Sequence, residues 1–131
     1  MTKDQTRADL AGRVAIVTGA SNGIGRAAAL KLAARGARVL AVGRDPARLT
    51  ALAADAPGIN SCAADLLALN ATDKIFAAAT RLGPPTILVC SAGVSGDMQS
   101  PVGQQTYDGW RDTLRVNLDQ PFLQTRAITP F

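Results

Sequence analysis

The sequence contains no histidine and no glutamate, only two cysteines, and aromatic residues at just 4%. Without histidine, a Ser-His-Asp triad and the common His-bearing zinc sites are excluded. Cys62 and Cys90 stand in apolar stretches without metal-ligand spacing. They read as small buried apolar residues in a reducing compartment, so no metal site is expected. No run approaches the ~20 apolar residues of a membrane span, and Met1 to Leu10 is polar and mixed in charge with no signal core. A cytoplasmic location is the expectation. The net charge is +4, but the basic residues are spread from Lys3 to Arg126 and few aromatics could stack on bases. Neither a nucleic-acid nor a membrane surface is expected, because both need a one-sided basic patch. Positive charge of this kind suits one arginine at one ligand.

What is present fits a single domain of 131 residues with 47% hydrophobic content. At this size a compact fold hides roughly two-thirds of the surface its unfolded chain would expose, so neither a disulfide nor a metal is needed. Val14 to Thr18 is a short β-rich apolar run of the kind buried on both faces of a parallel sheet. Gly19 to Gly25 reads as a turn. Ile24 to Arg35 reads as a helix with Ile24, Ala28 and Leu32 on one face, ended by Gly36. Further strands are expected at Arg38 to Val42, Ile59 to Ala63 and Thr86 to Cys90. Between them, Asp45 and Pro46 open a second helix reaching about Ala54, and Thr72 to Leu82 forms a third. A loop from Gly93 to Gln105 leads to a last helix starting at Thr106 or Tyr107, with Trp110, Leu114 and Leu118 as its buried stripe. This β-α alternation predicts an α/β fold with a doubly wound parallel sheet in the order 3-2-1-4. In such a sheet a ligand binds outside the strand C-termini, between strands one and four, where Gly19 and Ser91 fall.

The segment Thr18-Gly19-Ala20-Ser21-Asn22-Gly23-Ile24-Gly25 joins a strand to a helix with G-x-x-x-G-x-G spacing. Gly19 permits the tight turn, Gly23 lets backbone approach a pyrophosphate, and Gly25 lets the helix pack against the strand. Free N–H groups at the helix start then face the anion. A plain strand-to-helix turn is the alternative.

This segment resembles the T-G-x-x-x-G-I-G motif of the short-chain dehydrogenase/reductase family, and Leu10 to Gly19 is similar to that family's opening phrase. The resemblance implies a Rossmann-like cofactor-binding half, with Ser21, Asn22 and Ile24 joining the three glycines at the cofactor. It also implies that Asp65 contacts the adenine ring with Leu66 beside it. Ser91, Ala92 and Gly93 fall where the family's N-N-A-G motif lines the nicotinamide side. Val116-Asn117-Leu118 matches the helix asparagine of the catalytic tetrad, which kinks its helix and holds a relay water on its main-chain carbonyl. Pro121 supports a kink independently, since it cannot donate to the Asn117 carbonyl. Asp65 could equally be a strand-end or helix-cap residue, and Asn117 a merely structural one. Cys90 and Ser91 depart from the family's two asparagines, which leaves the strand contact there weaker.

Cofactor choice can be read at the end of the second strand. An NAD enzyme of this type places a carboxylate there for the ribose 2′-OH. Here the place is Gly43, followed by Arg44, whose planar fork suits a 2′-phosphate. NADP is therefore expected over NAD, unless Arg44 lies along the surface or pairs with Asp45.

The family's Y-x-x-x-K has no counterpart here. Tyr107 is the only tyrosine, precedes Asn117, and is followed four residues later by Arg111. The lysines are Lys3, Lys31 and Lys74, so no acid with a lysine-lowered pKa can be assembled in the family manner. Thr86 to Cys90 would also be a bare apolar edge strand. The expectation is the N-terminal half of a protein roughly twice as long, with the domain at residues 1–131 stopping before the Tyr/Lys segment. In full it would be an NADP-dependent oxidoreductase on a small carbonyl or alcohol substrate, and a homo-oligomer. A non-catalytic NADP(H)-binding or sensing module and an inactive fragment are the alternatives.

Overall fold

In the computed structural model, residues 8–131 are described. The elements run β1 (Val14–Thr18), α1 (Gly23–Ala34), β2 (Arg38–Gly43), α2 (Pro46–Asp55), β3 (Ile59–Ala63), α3 (Ala71–Thr80), β4 (Pro85–Cys90), α4 (Tyr107–Leu114) and α5 (Gln120–Ile128). The sheet is parallel throughout, in the order β3-β2-β1-β4. Each crossover is a helix long enough to return the chain to the same end of the sheet, so the order expected from the right-handed rule is the one observed.

β1 is central and buried at every residue. Its side chains alternate between two cores. Ala15 and Val17 join Val39, Ala41, Leu49 and Leu52 under α1 and α2, while Ile16 joins Leu40, Val42, Ile75 and Ala79 under α3. This period-two division explains why the strand has no polar alternation: both faces are covered. Asp45 caps α2 by accepting from Ala47 N (3.0 Å) and Arg48 N (3.2 Å), and Pro46 follows at the first helical position.

Three sequence expectations need correction. On α1 the buried residues are Gly25 and Ala29, whereas Ile24 is 81% exposed. The helix must approach β1 so closely that only small residues fit between them. The expected stripe Trp110, Leu114 and Leu118 is not the core face of the last helix. Trp110 and Leu118 are exposed, and the buried positions are Val116, Gln120 and Gln124. Two amides replace apolar side chains there because each finds hydrogen-bond partners from distant parts of the chain. Cys90 is exposed rather than buried, although Cys62 is buried as expected.

The expected kink takes the form of a π-helical turn at Arg115–Asp119 between α4 and α5, in which Gln120 N–H donates to Arg115 O. Pro121 lacks the N–H that would continue the α pattern, and the five-residue bond accommodates it. β4 is the terminal strand of the described sheet, with Ile87, Leu88 and Val89 half-buried. Among the described residues no helix is long and apolar enough to cross a membrane.

Candidate functional site

A cavity of about 890 Å³ opens at the C-terminal ends of the strands. It is lined by Gly19, Ser21, Asn22, Gly23 and Ile24 after β1, by Gly43 and Arg44 after β2, by Asp65 and Leu66 after β3, and by Ser91, Ala92 and Gly93 after β4. These segments are far apart in the chain, and the parallel topology brings them to one end because every strand finishes there. Gly25 and Asn117, also singled out in the sequence, do not line the cavity. Each supports its wall from behind.

The glycine turn is held by backbone geometry. Gly19 has φ +65°, and a Cβ there would come within 2.7 Å of Ala92 N. At the same point Ala92 N–H donates to Thr18 Oγ1 at 3.3 Å, tying the end of β4 to β1. A Cβ on Gly25 would overlap the Gly19 carbonyl oxygen, so this glycine seats α1 on the turn. Gly23 differs: its φ is +55°, yet a Cβ would meet nothing within 4 Å, so the residue faces open cavity. Asn22 precedes α1 with extended backbone and makes no side-chain cap bond. The first-turn N–H groups therefore remain available to an anion.

At the β2 corner, Ala20 N–H donates to Val42 O (3.0 Å) and Ala64 N–H to Gly43 O (2.8 Å), drawing the three turns together. A Cβ on Gly43 would overlap Ser21 Oγ. That hydroxyl is buried and has no hydrogen-bond partner. A buried unpaired hydroxyl is costly unless a ligand completes it. Asp45, engaged with the α2 backbone, has its other oxygen 3.4 Å from Arg48 Nε, so Arg48 rather than Arg44 is its ion-pair partner. Among the described residues Arg44 makes no ion pair. Asp65 Oδ1 accepts from Leu67 N–H at 3.0 Å, so one carboxylate oxygen shapes the turn after β3.

The β4 side is fixed by the kinked helix. Asn117 Nδ2 donates to Val94 O (2.7 Å) and its Oδ1 accepts from Val94 N–H (2.8 Å). This two-point bond pins the segment beginning at Ser91 to the π turn. Replacing Asn117 with Ala removes both bonds at an exposed position and should cost about 1–2 kcal/mol. Hydrogen exchange should then show the Val94 amide losing protection more than the β1 amides; unchanged exchange at Val94 would refute the clamp. Behind Cys90 lies a chain of polar contacts: Cys90 Sγ donates to Gln124 Oε1 (3.5 Å), Gln124 Nε2 to Gln120 Oε1 (3.3 Å), and Thr72 Oγ1 to the same Gln120 oxygen (3.2 Å). Desolvation pushes the Cys90 thiol up, which keeps it protonated as a donor.

Several cavity residues were not found from the sequence: Arg48, Val94, Gly96, Asp112, Thr113 and Val116. Arg48 carried a usable signal, since it falls in the first turn of the helix that follows Arg44. The others enter through loop and helix placement that no local pattern encodes. Tyr107 is 70% exposed, does not line the cavity, and accepts from Arg111 Nη1 at 3.3 Å.

Comparison with known proteins agrees with this arrangement. The family described as short chain dehydrogenase matches residues 13–131. An L-xylulose reductase of Mesocricetus auratus is 39% identical over 83% of this chain and 43% of its own length. A D-threitol dehydrogenase of Mycolicibacterium smegmatis is 36% identical over 91% of this chain and 47% of its own. Among solved structures, a metagenomic short-chain oxidoreductase in complex with NADP superposes with TM-score 0.83 at 37% identity, covering 92% of this chain and 56% of that one. A 3-ketoacyl-(acyl-carrier-protein) reductase from Brucella melitensis complexed with NADH gives TM-score 0.84 at 31% identity, covering 93% and 50%. The chain thus spans about half the length of the curated relatives it matches. With the glycine turn, the strand order and a family match across nearly its whole length in agreement, the chain belongs to the short-chain dehydrogenase family.

Proposed function

We propose that residues 1–131 form the NADP-binding half of a short-chain oxidoreductase acting on a small carbonyl or alcohol substrate. The observation that carries this reading is the β2 corner of the cavity. Gly43 leaves no carboxylate for a ribose 2′-OH, Arg44 stands next to it without an ion pair, and Ser21 Oγ is buried and unpartnered. A phosphorylated ribose supplies what these groups lack: an anion for the guanidinium and a partner for the hydroxyl.

The remaining lining residues fit the other parts of such a cofactor. The backbone at Asn22, Gly23 and Ile24 and the α1 N-terminus would hold the pyrophosphate. Asp65 and Leu66 would receive the adenine, and Ser91, Ala92 and Gly93 the nicotinamide. Asn117 would act as a positioning residue, fixing the nicotinamide wall through Val94. When bound, the nicotinamide carries the hydride; the chain's residues would bind and orient the dinucleotide, with backbone N–H groups turned toward its pyrophosphate.

A second reading rests on Tyr107. Because this tyrosine is exposed and engaged with Arg111, the chain offers no tyrosine at the cavity to move a proton. Residues 1–131 alone are then a module that binds NADP(H) without turning over substrate. Both readings require the same selectivity. Calorimetric titration of Arg44→Ala should raise the Kd for NADPH about tenfold, the loss of one charge-assisted bond, and leave that for NADH within about twofold. Equal effects on the two nucleotides would sink the assignment of Arg44.

A further inference from the structure

The assignment of the β2 corner leaves Arg48 unexplained. It is the third residue of α2, and its position is electrostatically poor: the first turn of a helix favours acidic side chains, and this turn has none. A cation there opposes the helix dipole, and only Asp45 offsets it. That offset is small, since the contact is 3.4 Å from Nε and both side chains are more than half solvated or close to it, at 61% and 50% exposure. Asp45 is also occupied with two backbone N–H groups. Among the described residues the terminal guanidinium nitrogens of Arg48 make no hydrogen bond. Arg48 nevertheless lines the same cavity as Arg44 and Ser21. A residue that breaks a local rule for so small a local gain is best explained by what it does at a site.

We infer that Arg48 is a second specificity-determining residue for the 2′-phosphate of NADP, sharing it with Arg44, and that Asp45 holds Arg48 in check as a competing anion. This rests on reading the cavity as an NADP site. A phosphate dianion can engage two guanidinium forks at once, and the loose contact with Asp45 costs little to give up. Asp45 then sets the affinity in the opposite sense: its carboxylate competes for Arg48 and repels the incoming phosphate.

The test is calorimetric titration of the chain with NADPH and with NADH for the unsubstituted protein and for R44A, R48Q and D45N, with a thermal melt of each. R48Q should weaken NADPH about tenfold and leave NADH within about twofold. D45N keeps a capping side chain, since asparagine caps helices as well as aspartate does. It should tighten NADPH about threefold or more without changing NADH, a gain that misfolding cannot produce. If the unsubstituted chain does not prefer NADPH to NADH, the NADP reading and the role of Arg48 fall together. If it does prefer NADPH and R44A removes that preference while R48Q and D45N change neither constant, the inference about Arg48 alone is wrong. An equal loss of NADPH and NADH affinity in R48Q overturns it as well.

Discussion

Gly19→Ala should destabilise the chain by about 2–5 kcal/mol and abolish nucleotide binding. Two costs add. The left-handed backbone at φ +65° is disfavoured for any residue with a Cβ, by about 1–2 kcal/mol. The new methyl group would also stand 2.7 Å from Ala92 N and 2.8 Å from Ser91 C, both backbone atoms that cannot swing aside. Overpacking of this kind costs typically about 1–3 kcal/mol. Relief requires the end of β4 to move off β1, which breaks the Ala92 to Thr18 bond and opens the cavity wall. Gly23→Ala is the control. It shares the positive φ but meets nothing within 4 Å, so only the conformational cost remains. Denaturant melts should therefore place Gly19→Ala well below Gly23→Ala in stability. Equal losses would mean that the contact between β1 and β4 is not the constraint described.

Gln124→Ala should cost about 2–4 kcal/mol, a loss seldom reached at a polar position. Gln124 is 1% exposed and Gln120 2%, both on the face of α5 that packs against β4 and α3. Truncation leaves a cavity and strips the Cys90 thiol and one side of the Gln120 oxygen of their partners. For a chain of this size the midpoint of thermal unfolding should fall by about 3–5 °C per kcal/mol. Gln124→Leu separates the two contributions. Leucine fills most of the space, Thr72 still donates to Gln120, and a thiol is a weak donor, so this variant should lose less than about 1.5 kcal/mol. An alanine variant as stable as the unsubstituted chain would show that the amides do not bind α5 to the sheet.

The two predictions mark where the sequence was sufficient and where it was not. The glycine turn was legible because its demands are local: a tight reversal, a left-handed residue opening onto the cavity, and a close helix contact each suit glycine at a fixed offset. The structure adds that Gly19 also faces β4, some seventy positions away in the chain by its contact with Ala92. Gln120 and Gln124 were not legible. Hydropathy selected Trp110, Leu114 and Leu118 as the buried stripe, since apolar spacing is the only signal a single helix carries. It could not register that two glutamines would find Thr72 and Cys90 across the fold and so become the cheaper residues to bury. The π turn also widens the helix at Arg115–Asp119, so faces counted at four-residue spacing before it drift out of phase after it.

Arg44 and Arg48 divide along the same line. Arg44 could be placed at the cavity because it directly follows β2, whose C-terminal end opens there. Arg48 could be counted into the first turn of the helix that follows, but whether that turn faces the cavity or solvent depends on how α2 docks against β2 and β3. Asn117 could be read from the sequence only as a residue at a proline kink, because the partner of its side chain, Val94, lies in a loop without a pattern.

The sequence by itself determined the order of strands and helices, the parallel sheet with β1 in its interior, and the end of the sheet at which the cavity opens. These follow from short-range periodicity, turn chemistry and the handedness of crossovers, all of which act over one or two elements. Only the tertiary structure decided which face of the last helix is buried, what satisfies its amides, and which side chains besides the glycine turn reach the cavity. Those outcomes depend on contacts between residues far apart in the chain, where the free energy of pairing is set by packing rather than by local pattern.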